Sequence, residues 1–73
     1  MTSQPDFVDV TVNGEARGVL AATLLADLVH ELSPTGAGCA VAVNGEVAPR
    51  ADWRHRVVAP GDQIEILTAV QGG

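Results

Sequence analysis

The first part of the chain alternates apolar and polar residues in a way that predicts a β-hairpin. The run FVDVTV, residues 7–12, places a valine at every second position, which is the period of a half-buried strand. Asn13-Gly14 follows, and this pair is the strongest short hairpin signal because both central positions of a type I′ turn need positive φ. We therefore expect a return strand over residues 16–20.

A helix is predicted next, over the run LLADLVHEL, residues 24–32. Its apolar positions form one stripe at helical spacing, made of Leu24, Leu28 and Leu32 and widened by Leu25 and Val29. Thr23 is the predicted N-terminal cap, since its hydroxyl can accept a hydrogen bond from a free backbone N–H group. Ser33-Pro34 should end the helix, because proline restricts the residue before it and has no N–H group to donate.

The second half of the chain repeats the pattern of strand and Asn-Gly turn. A strand is predicted over residues 39–43, and Pro49 should end the return strand or confine it to a sheet edge. The run ADWRH, residues 51–55, predicts one short helical turn anchored by Trp53. The last strand, QIEILTAV, residues 63–70, should turn Ile64 and Ile66 to one face and Leu67 to the other.

The order of these elements predicts an α+β domain in which one main helix covers one β-sheet. The length of 73 residues leaves room for a single domain, residues 1–73, of which 1–6 should be frayed and 70–73 a flexible C-terminal tail. Cys39 is the only cysteine, so a disulfide framework is excluded. No apolar run is long enough to span a bilayer and no basic-then-apolar leader opens the chain, so we expect a cytoplasmic protein without a membrane partner.

The charge balance narrows the range of partners. Nine acidic residues oppose four arginines, for a net charge of −5. Nucleic acid is therefore not expected as a partner, because such binding depends largely on neutralising phosphates. An acidic surface favours partners that present a basic docking face.

The body of the chain shows no arrangement typical of an active site. Cys39, His30 and His55 match no zinc spacing, and Cys39 lies in an apolar alternation that predicts a buried thiol. The glycines form no phosphate-binding loop ahead of a helix. We therefore predict no catalytic residue, no metal ligand and no bound cofactor, and expect a protein that is not an enzyme.

The Gly72-Gly73 pair at the C-terminus is the remaining candidate for chemistry. A carboxylate is an anion and a poor electrophile at neutral pH, so it reacts only after activation, for example as an acyl-adenylate made from ATP. Glycine has no Cβ atom and lets the backbone enter a narrow cleft. This pattern predicts a tail that an activating enzyme draws in.

Two longer stretches, VNGEVAPRADW and APGDQIEILTAVQGG, together with the overall length, resemble the ThiS family of sulfur carriers in thiamine biosynthesis, from about Phe7 to Gly73. The specific part is NG-x-V-x-PR-x-x-W, residues 44–53, followed by GDxIEIL. A terminal Gly-Gly alone is shared with ubiquitin-like modifiers and the small subunit of molybdopterin synthase. The resemblance implies a ubiquitin-like β-grasp fold, a mixed β-sheet packed on one main helix.

The resemblance also implies a reaction and its partners. An E1-like adenylyltransferase of the ThiF type, which uses ATP, would adenylate the carboxyl group of Gly73, and a sulfur donor would then convert it to a thiocarboxylate. A thiazole synthase of the ThiG type would receive the sulfur. Gly72 would thread the channel of the activating enzyme, with Gln71 and Val70 at its mouth. Leu67 is the candidate for an apolar docking face on the sheet.

Three other functions stay open on the sequence. A carrier of the same fold could serve molybdopterin or a sulfur-containing secondary metabolite, because the tail chemistry would be identical. A ubiquitin-like protein modifier would instead join Gly73 to a lysine of its target. A plain interaction domain would carry an inert tail.

Overall fold

The computed structural model describes residues 6–33 and 38–68. Its elements are strands β1 (Phe7–Val12) and β2 (Glu15–Leu20), helix α1 (Leu25–Leu32), strands β3 (Cys39–Val43) and β4 (Glu46–Val47), a 3-10 helix (Arg50–His55) and strand β5 (Gln63–Thr68). The expectations of a frayed N-terminus and a flexible tail concern residues that lie almost wholly outside the described part. Within that part, the predicted order of elements is confirmed.

The strands form one mixed sheet in the order β2-β1-β5-β3-β4. The neighbours β1 and β5 run parallel, and the three other neighbouring pairs run antiparallel. Strand β5 therefore lies in the centre of the sheet although it comes last in the chain. The hairpin strands β2 and β4 form the two edges.

Both Asn-Gly pairs form the predicted tight turns. The φ angles are +52° and +84° at Asn13 and Gly14, and +54° and +85° at Asn44 and Gly45. Positive φ at both central positions is the geometry of a type I′ turn, whose twist suits a two-residue hairpin. Strand β4 is only two residues long, and Pro49 lies just beyond it, where it takes no place in the ladder.

The prediction that Thr23 caps the helix is wrong. The helix begins at Leu25 after an extended Leu24, and the Thr23 hydroxyl donates backwards to the carbonyl of Leu20. The backbone ahead of the helix instead pairs with the segment after the 3-10 helix. The Leu25 N–H donates to the Arg56 carbonyl over 2.8 Å, so a distant backbone group satisfies a donor at the start of the helix.

The apolar stripe of the helix is also placed differently from the prediction. Leu25, Leu28 and Val29 are buried, whereas Leu32 is exposed and Leu24 is half-buried. Leu24 precedes the helix in an extended conformation and Leu32 is the last helical residue, so neither lies over the centre of the core. Leu25 and Val29, which were predicted only to widen the stripe, form its buried centre together with Leu28.

The core lies between the sheet and α1 and is almost entirely aliphatic. Its members are Val10, Val12, Val19, Leu25, Leu28, Val29, Val41, Val43, Ala48, Trp53, Val58, Ile64 and Ile66. Cys39, predicted to be a buried thiol, is only half-buried, and it packs against the edge of this cluster. Trp53 closes the core from the 3-10 helix, as predicted, and its indole Nε1 donates to the carbonyl of Ala48 over 2.8 Å.

We expect Trp53→Ala to lower the free energy of unfolding by about 3–5 kcal/mol, because it removes a large buried ring and leaves a cavity. The ring is 6% exposed and also carries the guanidinium of Arg50 at 5.5 Å from its centroid. Urea denaturation would measure the loss. Trp53→Phe keeps most of the apolar volume but leaves the Ala48 carbonyl without its donor, so it should cost about 1–3 kcal/mol. An alanine variant as stable as the phenylalanine variant would contradict this account of Trp53.

Candidate functional site

The four predicted tail residues, Val70, Gln71, Gly72 and Gly73, lie outside the described residues. The structure nevertheless shows what holds the chain just before them. Strand β5 ends at Thr68, with five residues of sequence after it. The candidate functional site is therefore the end of β5 and the surface around it.

Strand β5 is held more completely on its β3 side than on its β1 side. On the β3 side the register runs from Val43 opposite Ile64 to Cys39 opposite Thr68. On the β1 side the parallel pairing covers only Gln63 and Ile64. The buried side chains of Ile64 and Ile66 anchor the strand to the core below. The last four residues of β5 therefore extend beyond the end of β1.

Two asparagine side chains, which the sequence pattern predicts only as turn formers, complete the hold on β5. The Asn13 Oδ1 accepts from the Ile66 N–H over 2.9 Å, and its Nδ2 donates to the Ile66 carbonyl over 3.3 Å. At the start of the strand, the Asn44 Oδ1 accepts from the Gln63 N–H over 2.9 Å. The available signal was that both VNGE turns carry Asn, whose amide can bind backbone, at a position that glycine could also fill.

Asp62 lies in the turn directly before β5 and holds that turn in place. Its carboxylate accepts from the Ala59 N–H over 2.8 Å and from the Asn44 Nδ2 over 3.0 Å. The side chain is buried, so these bonds replace the water that a carboxylate would otherwise bind. The turn that leads into β5 is therefore fixed to the second hairpin.

Leu67 points away from the core, as predicted, and its side chain is 69% exposed. Residues paired across a sheet share a face, and Leu67 pairs with Ala40. Two residues away along β3, Ala42 pairs with Val47, which is 77% exposed. We call Ala40, Ala42, Val47 and Leu67 the outer patch. Its apolar character fits a docking face, although nothing in the described structure covers it.

The charges are unevenly spread over the described residues. Arg54 and Arg56 belong to the segment at the N-terminal end of α1, where the Arg56 carbonyl binds the helix. At the other end of α1, Leu32 shares with Thr68 the lining of an open hollow of about 310 Å³. Beside the outer patch, Glu65 contributes an exposed carboxylate on the same face. Arg17 also lines the hollow but forms an ion pair with Glu31 over 2.6 Å, so apolar groups and the carboxylates of Glu15 and Glu65 remain to face a basic partner surface.

The other residues considered for chemistry are surface or packing residues. His30 and His55 are exposed, on α1 and on the 3-10 helix. Over residues 6–33 and 38–68, no cluster of three or more His, Cys, Asp or Glu side chains could hold a metal ion. The described helices are all too short or too polar to cross a membrane.

Comparison with known proteins gives three consistent likenesses. The family model described as the ThiS family matches residues 10–73. The sulfur carrier protein ThiS of Escherichia coli strain K12 is 30% identical over 66 residues, which cover 90% of this chain and all of that protein. A crystal structure of the thiamine biosynthesis protein ThiS from Geobacter metallireducens is also 30% identical, with a TM-score of 0.74, and covers 90% of this chain and all of that one. The mixed sheet, the single α-helix of the described residues and this structural likeness confirm the predicted ubiquitin-like β-grasp.

Proposed function

This chain belongs to the ThiS family, and we propose that it is a sulfur carrier for thiamine thiazole formation that holds its cargo on the carboxyl group of Gly73. The observation that carries the proposal is the extent of the family match, which runs through the terminal glycine pair to residue 73. A match confined to the folded body would speak for the fold alone. The name of the relative from Escherichia coli gives the cargo as sulfur.

The reaction needs two steps at one carbon atom. An E1-like adenylyltransferase of the ThiF type binds ATP, and a carboxylate oxygen of Gly73 attacks the α-phosphorus, releasing pyrophosphate and leaving an acyl-adenylate. The nucleophilic sulfur of a sulfide-level donor then attacks the acyl carbon, and AMP departs with the oxygen bound to its phosphorus, so that a thiocarboxylate remains on Gly73. The carrier itself binds no cofactor, because ATP belongs to the activating partner. A thiazole synthase of the ThiG type receives the sulfur.

The folded body and the C-terminal tail have separate roles because ordering a flexible chain costs conformational free energy. Fixing each flexible residue costs on the order of 1–2 kcal/mol, so a tail alone would bind an enzyme weakly. The outer patch can offset that cost by burying apolar surface against the partner. Gly72 then passes through the narrowest part of the cleft, while Gln71 and Val70 stay at its mouth. The folded body thus supplies the binding surface, and the tail supplies the reacting group.

The decisive experiment is the intact mass of the protein after incubation with ATP, a sulfur source and the cognate activating enzyme. A gain equal to one sulfur minus one oxygen, absent when ATP is left out, supports the proposal. A ladder of larger conjugates would favour a protein modifier, and an unchanged mass would favour an inert tail. Adding the loaded carrier to thiazole synthase and its carbon substrate separates thiamine biosynthesis from a molybdopterin or secondary-metabolite pathway.

We expect Leu67→Asp to weaken binding to the activating enzyme by at least about tenfold, because it places a charge at the centre of an apolar contact. Titration calorimetry without ATP measures the dissociation constant. The matched control is Val57→Asp. It places the same charge at another exposed aliphatic residue, which is 52% exposed and lies outside the five strands of the sheet. Equal effects of the two substitutions would show that the outer patch is not the docking face.

A further inference from the structure

The hydrogen bonds between β1 and β5 continue beyond the end of strand β1, where a side chain takes the place of the β1 backbone. The Thr11 N–H donates to the Asp62 carbonyl over 3.0 Å, and the Asn13 N–H donates to the Ile64 carbonyl over 2.8 Å. In a parallel ladder the bonds are evenly spaced and recur at every second residue. The next bond on this edge therefore falls at Ile66.

The backbone of β1 cannot make that bond, because the chain turns away at Asn13 with positive φ. The side-chain amide of Asn13 makes it instead. A primary amide carries the same C=O and N–H groups as a peptide unit, and here both are used, one on each main-chain polar group of Ile66. Asn13 thus serves as one additional peptide unit of β1, and both bonds are partly buried.

The Asn13 amide binds β5 shortly before the strand leads into the C-terminal tail. On one edge the strand is paired with β3 on either side of Ile66, at Glu65 and Leu67, and on the other edge Asn13 binds Ile66 itself. Without Asn13, the strand beyond Ile64 would be held on one edge alone and could twist or fray. Thr68 follows two residues later, and Gly73 lies seven residues beyond Ile66.

We propose that Asn13 is a positioning residue for the reaction at Gly73, because its amide holds the end of β5 and so sets the direction in which the tail leaves the body. This inference rests on the proposed function. An activating enzyme must hold the docking face and the terminal carboxylate at the same time, so a tail that starts in the right direction loses less freedom on entering the cleft. Small misplacements at a reacting group are costly in rate.

Asn44 provides a matched control within the same chain. It occupies the first position of the same type of turn, with nearly the same φ, and its side chain also binds β5. Its contact is at Gln63, however, at the start of the strand rather than near its end. Replacing either asparagine by glycine keeps the turn, because glycine accepts positive φ, and removes two side-chain hydrogen bonds.

The first measurement is amide hydrogen exchange in the full-length free protein. In Asn13→Gly, the Ile66 amide should exchange at least about tenfold faster relative to that of Ile64, because its acceptor is gone. In Asn44→Gly, this ratio should stay at the wild-type value. An Ile66 amide that remains equally protected in Asn13→Gly would overturn the proposal at the structural level.

The second measurement is kcat/KM for adenylation, followed by pyrophosphate exchange with the activating enzyme. Asn13→Gly should lower it by about tenfold, with unchanged binding of the body in the absence of ATP, while Asn44→Gly stays within about twofold of wild type. A purely structural role predicts losses that follow the destabilisation of each variant, and Asn44→Gly, which takes a donor from the buried Asp62 carboxylate, should destabilise at least as much as Asn13→Gly. A fall in kcat/KM as large in Asn44→Gly as in Asn13→Gly would therefore overturn the proposal. Asn13→Asp keeps the accepting oxygen and tolerates positive φ, so it should fall between wild type and Asn13→Gly.

Two controls keep the outcomes separate. Should Asn13→Gly fail to fold, Asn13→Asp carries the comparison, and wild-type kcat/KM in that variant would overturn the positioning role. A wild-type protein that the cognate enzyme never adenylates would instead overturn the proposed function. A wild-type protein that loads normally, beside an Asn13→Gly protein that loads equally well, would overturn this inference alone.

Discussion

One alanine appended after Gly73 should abolish sulfur loading and leave the free energy of unfolding unchanged. The added residue converts the carboxyl group of Gly73 into an amide, which cannot be adenylated. It also moves the new terminal carboxylate about 3.8 Å further along the chain and adds a Cβ atom beside it. Since a displacement of 1 Å at a reacting group can cost about a hundredfold in rate, kcat/KM should fall by at least that factor. Stability should not change, because the buried core lies within residues 10–66.

Intact mass and urea denaturation test the two halves of this prediction. The control carries the same alanine ahead of Met1, at the other end of the chain, and should load as the wild type does. A protein lengthened after Gly73 that still gains sulfur would show that the terminal carboxyl group is not the site of the chemistry. A lengthened protein that loses stability would show that the tail contributes to the fold.

Gly72→Val should block adenylation, with a fall in kcat/KM of at least about a hundredfold. A β-branched side chain next to the reacting residue puts a Cβ atom and two methyl groups where the cleft is narrowest. Gly72→Ala adds only the Cβ atom and should lie between the valine variant and the wild type. Pyrophosphate exchange isolates this step from the later attack of the sulfur donor.

Gly18→Val is the matched control for this substitution. Gly18 lies on the edge strand β2, and a Cβ atom built there meets no atom within 4 Å. Valine also suits a strand, so the same chemical change should leave both fold and loading intact. Normal pyrophosphate exchange by Gly72→Val would contradict the proposed passage of the tail through a narrow channel.

Several elements of the fold could be predicted from short stretches of sequence because their causes are local. The Asn-Gly turns follow from the backbone angles that only a few residue types accept, and both occur where predicted. The strands follow from a two-residue period, which places Leu67 opposite Ile64 and Ile66. The central position of β5 was not among these local predictions, and the β-grasp itself came from family resemblance.

The start of the helix needed the tertiary structure. Thr23 satisfies a local capping rule, yet the donor at the start of α1 is satisfied by Arg56, which lies 31 residues after Leu25. The Arg56 carbonyl, which the fold places beside the helix, accepts this hydrogen bond in place of the Thr23 hydroxyl two residues away. Leu32 likewise fits the helical period but lies at the end of the helix, beyond the fully buried positions.

The sequence by itself determined the turns, the faces of the strands, the buried place of Trp53 and the tail as the candidate for chemistry. Only the tertiary structure decided that the two Asn-Gly turns hold β5 at two points, Gln63 and Ile66. Asn13 and Ile66 are 53 positions apart, so no local period or turn rule relates them. Their contact exists because the parallel pairing of β1 and β5 brings the end of one strand beside the middle of the other. Short-range steric effects can be predicted from neighbouring residues in the sequence. A hydrogen bond across the sheet instead depends on the strand register, which the packing of the whole core selects.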